Sequence, residues 1–102
     1  TMVTHVVCWK LHEQAQGRDK KTNASLIKAE LLALKDLIPE VQSVEVGVNA
    51  PQAGSDNYDV VLIAEFDDFE SLKRYSEHHE HKRFAAFISD LRSHRVAVDY
   101  EV

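Results

Sequence analysis

Tyr58-Asp59-Val60-Val61-Leu62-Ile63-Ala64-Glu65-Phe66 decides the fold. The run is nearly continuous in apolar, largely β-branched residues and reads as a strand. Successive side chains of a strand point to opposite faces. Val60 and Leu62 therefore face one way, Val61 and Ile63 the other, and both pairs are apolar. A strand of this kind needs cover on both sides. Two other segments share the pattern. Val3 to Leu11 puts Val3, His5, Val7, Trp9 and Leu11 on one face and Thr4, Val6, Cys8 and Lys10 on the other. Arg95 to Val102 puts Val96, Val98 and Tyr100 on one face and Ala97 and Asp99 on the other.

Between these strands the period changes. From Asn23, the residues Ile27, Leu31, Leu34 and Ile38 mark a helix stripe that Pro39 stops. The polar stretch Gln14 to Thr22 reads as a loop or the solvated start of that helix. Val44, Val46 and Val48 alternate with polar residues as a further strand, and Asn49 to Asp56, with Pro51 and Gly54, is a loop. Asp67-Asp68 offers an N-cap to a short helix with Phe69, Leu72 and Tyr75 on one stripe. After a break, a last helix is predicted from about His81 to Ser93.

The order β-α-β-β-α-β predicts an α+β, ferredoxin-like protomer. Its four-stranded antiparallel sheet carries the helices on one face. Helices cover one face only, so the other would be a large apolar patch. A second copy related by a two-fold axis is the simplest cover. Two such sheets, face to face, make a dimeric α+β barrel.

At 102 residues, with 44% hydrophobic and 28% charged residues, the chain is a single globular domain, 1–102. A net charge of −5, with Lys and Arg scattered, argues against a nucleic-acid partner. No apolar run has membrane-spanning length, so no membrane partner is expected. Thr1-Met2-Val3 lacks a charged-then-apolar signal pattern, and Thr1 ahead of Met2 reads as a residue left over from expression. The lone Cys8 has no internal disulfide partner and reads as a small core residue, which fits a cytoplasmic protein.

The chemistry-bearing stretch is Tyr75-Ser76-Glu77-His78-His79-Glu80-His81. His81 shares a helix stripe with Phe84, Ile88 and Leu91, so an ionisable ring falls on a buried face. His5, Tyr75, His81 and Asp99 can converge at one end of the helix–sheet layer. A histidine near neutral pKa takes a proton, a tyrosine hydroxyl polarises a carbonyl, and a carboxylate orients an imidazole. Trp9, Leu62, Phe84 and Ile88 would line a pocket for a small apolar ligand. The alternative is that these are satisfied core groups, with Asp99 as the partner that satisfies them. No metal is expected. The histidine spacing is not that of a zinc protease, and cysteine ligands are absent.

The chain resembles the stress-responsive A/B barrel domain (Dabb) family over nearly its full length. The matching pieces are His5-Val6-Val7, Leu37-Ile38-Pro39, Gly47, Phe66 before an acidic-aromatic helix start, Tyr-x-x-His-x-x-His at Tyr75, His78 and His81, and Val98-Asp99-Tyr100. The resemblance implies the same protomer and homodimer. Some plant members are stress-induced. One plant branch cyclises linear polyketides by aldol condensation without a cofactor. Carried over, Tyr75 would polarise a ketone and His81 abstract the α-proton, with His5 and Asp99 in support. This chain departs from that branch in two places. It has only Val60 and Leu62 where the branch has a further histidine in the third strand, and His79 where a proline-like residue precedes the last histidine pair. The expected activity is a cofactor-independent, cyclase-like lyase acting on an apolar carbonyl compound. The alternative is a non-catalytic, stress-related dimeric binding or assembly protein.

Overall fold

Two faces of one antiparallel sheet organise the computed structural model, which describes residues 2–102. Thr1, and the reading of it as an expression remnant, lie outside the described residues. In chain order the elements are β1 (Val3–Leu11), β2 (Gln14–Ala15), β3 (Arg18–Asp19), α1 (Lys20–Leu37), β4 (Ser43–Val48), β5 (Val60–Phe66), α2 (Phe69–Glu77), α3 (His79–Ser89) and β6 (Arg92–Glu101). The main sheet has the order β4-β5-β1-β6, with every neighbour antiparallel. This is the α+β, ferredoxin-like arrangement read from the sequence.

Register sorts the side chains. His5, Val7 and Trp9 of β1 lie opposite Ala64, Leu62 and Val60 of β5, and all six are buried beneath the helices. From α1 come Ala24, Ile27, Leu31 and Leu34, from α2 Tyr75, and from α3 Phe84 and Ile88. Each valine, leucine or isoleucine of this set, fully buried, contributes about 1.5–3 kcal/mol. The opposite face carries Val6, Cys8, Val61 and Ile63, which their neighbours half cover, and Val96, Val98 and Tyr100, which are exposed. Gly47 lies opposite Val61 on this face, and a Cβ there would stand 3.0 Å from Val61 Cγ1. The glycine lets the valine lie across the sheet.

The structure differs from the sequence reading at element ends. Helix α1 starts at Lys20, so of the two readings of Gln14 to Thr22 the solvated helix start holds for its last three residues. Its N-cap is Asp19, which accepts the Thr22 N–H at 2.9 Å. The polar first turn conceals this from any apolar period. Ahead of it, β2 and β3 form a small hairpin in place of the expected loop. Its turn residues, Gln16 and Gly17, have φ of 55° and 74°, the left-handed pair of a type I′ turn. At the other end, Ile38 is extended before Pro39, as a proline demands of the residue preceding it. Helix α3 runs over His79–Ser89, not His81 to Ser93, and β6 begins at Arg92, not Arg95. Arg92 and His94 are drawn into pairing with β1 across a register shift between Lys10 and Leu11. Leu91 fits a helix stripe by spacing but packs into the core from the α3–β6 connection.

Candidate active site

Of the three histidines in the His78–His81 segment, each has a different task. His78 is extended (φ −66°, ψ 139°) and separates α2 from α3. Its Nδ1 accepts the Glu80 N–H at 3.0 Å and so caps α3. His79 stacks on the His78 ring at 4.5 Å between centroids. His81, one turn further along, is brought round to the sheet side beside Tyr75. Among the described residues, no group of three His, Cys, Asp or Glu side chains is placed to hold a metal ion.

Helix α2 presents Tyr75 because Asp68 fixes its start. The Asp68 carboxylate accepts the Ser71 N–H at 2.8 Å, and that bond holds its carboxyl below the usual range. Tyr75 then falls on the buried side, 3% exposed. Its ring packs on Phe66 at 4.9 Å, stands edge-on to His5 at 6.1 Å, and meets the His81 ring at 4.6 Å. Burial pushes the Tyr75 hydroxyl up to about 12, offset in part by the positive charge of Arg95. The group stays a phenol at neutral pH and can donate a hydrogen bond.

The His5 and Asp99 positions are set by sheet register. The two residues are opposite on β1 and β6, and their side chains join through His5 Nδ1 and Asp99 Oδ1. A carboxylate can only accept, so Nδ1 donates. Asp99 thus pairs with His5 and not with His81. The His81 ring is left with a buried Nδ1 that has no hydrogen-bond partner among the described residues. Burial lowers the His81 pKa. The Ser76 carbonyl, near the ring but outside hydrogen-bond geometry, pulls the other way, while His5 and Arg95 add to the lowering. The imidazole is therefore neutral at pH 7, the form that accepts a proton.

His5, Tyr75, His81 and Asp99 are thus contiguous. Trp9, Leu62, Phe84 and Ile88 are all buried in the layer beneath the helices, with the Phe84 ring edge-on to Trp9 at 5.9 Å. Two surface cavities lie elsewhere. One, of about 440 Å³, is on the open sheet face around Thr4, Ile63 and Tyr100. The other, of about 900 Å³, lies between the start of α1 and the β4–β5 loop. Arg95, whose positive charge acts on Tyr75 and His81, is a residue that the sequence reading passed over. The alternation that placed Ala97 and Asp99 on one face also places Arg95 there.

A four-stranded antiparallel sheet with its helices on one face defines a class, the ferredoxin-like α+β proteins. This chain belongs to the stress responsive A/B barrel domain family, whose model matches residues 3–102. No protein of curated function matches it in sequence. Several solved structures share the fold. A dimeric ferredoxin-like protein of unknown function from Bacteroides fragilis is 29% identical, with a TM-score of 0.86 over 99% of this chain and 96% of that one. A dimeric ferredoxin-like protein from Thermobifida fusca is 22% identical, with a TM-score of 0.81 over 99% and 91%. A hydroxynitrile lyase from Passiflora edulis is 17% identical, with a TM-score of 0.81 over 99% and 93%.

Proposed function

We propose that this chain is a cofactor-independent lyase or cyclase of an apolar carbonyl compound, working in the cytoplasm as a homodimer joined through the open sheet face. The observation that carries the reading is the His81–Tyr75 pair: a neutral imidazole with an unpartnered buried nitrogen against a phenol that stays protonated. Unsatisfied buried polar atoms are rare in folded proteins, and a catalytic role is one reason to keep one. The hydroxynitrile lyase among the structural neighbours supports a lyase on this fold. The dimeric neighbours and the exposed Val96, Val98 and Tyr100 support the second copy.

The steps follow from the groups. His81 removes a proton from the carbon next to the ligand's carbonyl. The C–H electron pair becomes the enolate, whose charge the Tyr75 O–H stabilises. The enolate carbon attacks a second carbonyl, forming the C–C bond. The protonated His81 then returns its proton to the new alkoxide. Run backwards, the same steps cleave the bond. The His5–Asp99 pair holds the wall behind Tyr75.

Hydrogen–deuterium exchange at the α-carbon of butyrophenone, followed by NMR in D2O, tests the first step without knowledge of the natural substrate. His81→Ala is expected to slow exchange by about 10²–10⁴-fold, the usual contribution of a general base. Tyr75→Phe is expected to slow it by about 10²-fold, as for loss of an oxyanion donor. Wild-type activity should decline only below pH 6.5, because the His81 pKa lies under that value. Exchange no faster than in buffer would sink the proposal. A second reading, a binding or assembly protein linked to stress and without chemistry, is favoured by the burial of Trp9, Leu62, Phe84 and Ile88. It would then be preferred.

A further inference from the structure

The helix side of β6 differs from that of the other strands. The register pairs His5 with Asp99, Val7 with Ala97 and Trp9 with Arg95. The β1 members of these pairs are buried, yet Arg95, Ala97 and Asp99 are exposed. The helices therefore stop short of this edge strand and leave an open lane along it. Residues two apart on a strand are separated by about 7 Å. Arg95 stands at one end of the lane and the His5–Asp99 pair at the other. Between them Ala97, with its single methyl, raises no wall.

Arg95, like Arg92 of the same strand, differs from the three arginines outside β6, all of which are paired. Arg18 is bonded to Asn23, Arg74 to Glu40, and Arg83 to Glu30 and Glu80. Arg95 makes no hydrogen bond or ion pair with any described residue. Its positive charge nonetheless reaches both Tyr75 and His81. A free guanidinium at the open end of an acid–base site presents a fork of donors matched to a carboxylate.

We propose that Arg95 binds a carboxylate of the ligand, so that the site takes oxo acids: an apolar body, a carbonyl at Tyr75 and His81, and an acid group at the far end of the lane. This inference rests on the lyase or cyclase reading of the same site and names its substrate class.

The probes are 4-oxo-4-phenylbutanoate and its neutral counterpart butyrophenone, with affinities read by titration calorimetry. The acid is expected to bind about tenfold more tightly to the wild type, a difference within reach of one charge-assisted pair. In Arg95→Gln the ratio of affinities should fall to within about twofold, and Arg95→Lys should recover part of it. Arg92→Gln removes another cation of the same strand and should leave the ratio intact. Equal affinities in the wild type, or a preference that survives Arg95→Gln, would overturn the assignment. If butyrophenone still exchanges its α-hydrogens in a His81-dependent way, the Arg95 inference alone has failed. An Arg95-dependent preference without exchange keeps the acid-binding role and removes the catalysis. Binding of neither ketone removes both.

Discussion

The two faces of the sheet are built from the same residue types and end in opposite states. Leu62 and Ile63 are neighbours on β5. The first is 2% exposed beneath the helices, and the second lies half covered on a face with no helix. One face is completed by the chain's own helices. The other is an apolar surface on which the strongest exposure falls at Val96, Val98 and Tyr100. The difference teaches that apolar content alone does not say what buries a strand. Connectivity does: both long crossovers place their helices on one side.

The sharpest way to break the contrast is the same charge on each face. Val7 is 1% exposed and Val98 is 62% exposed. Val7→Asp should abolish folding, because an unpaired buried charge costs several kcal/mol against a total stability of about 5–15 kcal/mol. Val98→Asp should leave a folded protomer by circular dichroism that light scattering finds as a monomer. A dimer that survives Val98→Asp would place the interface elsewhere.

A milder pair sharpens it. Leu62→Ala should lower stability by about 2–5 kcal/mol at every protein concentration. Ile63→Ala should show its cost in urea melts chiefly where the dimer is populated, growing as protein concentration rises. Equal, concentration-independent losses would contradict a covered second face.

The smallest effect concerns pH. His81 has a folded pKa below its unfolded value of 6.5, through burial. Between those two values the unfolded chain binds more protons. Its contribution to stability is therefore present above pH 6.5 and is lost as pH falls through the folded pKa. Urea melts of wild type and His81→Leu at pH 7.5 and 5 should show a flatter pH response in the variant. A response as steep as that of the wild type would mean His81 is not desolvated.

Much of this arrangement is legible in the sequence because its signals are local. Period two placed β1, β5 and β6 and sorted their faces. Period 3.6 found α1 through Ile27, Leu31 and Leu34, and the Asp68 cap found α2. What failed was either too short for any period or set by distant partners. The β2–β3 hairpin has two residues to a strand and rests on the left-handed Gln16-Gly17 turn. The start of β6 is polar and is fixed by pairing with β1. The site divides in the same way. Tyr75 and His81 stand out on helical stripes, since polar groups on apolar faces are conspicuous. That Asp99 meets His5 and not His81 depends on the β1–β6 register, which joins residues 94 apart in the chain. Arg95 was legible from alternation but had no neighbour in the sequence to mark it as unpaired.

Strand β6 has a consequence for how such a protein can change. On the proposed reading, its odd positions Arg95 and Asp99 would face the ligand, and its even positions Val96, Val98 and Tyr100 would face the second copy. Point substitutions can tune one without touching the other. Loss of a single residue here would exchange the two sets, presenting valines to the ligand and charges to the partner. Ligand choice and assembly are interleaved like two texts on alternate lines. Each is free to vary letter by letter, and neither tolerates a shift of frame.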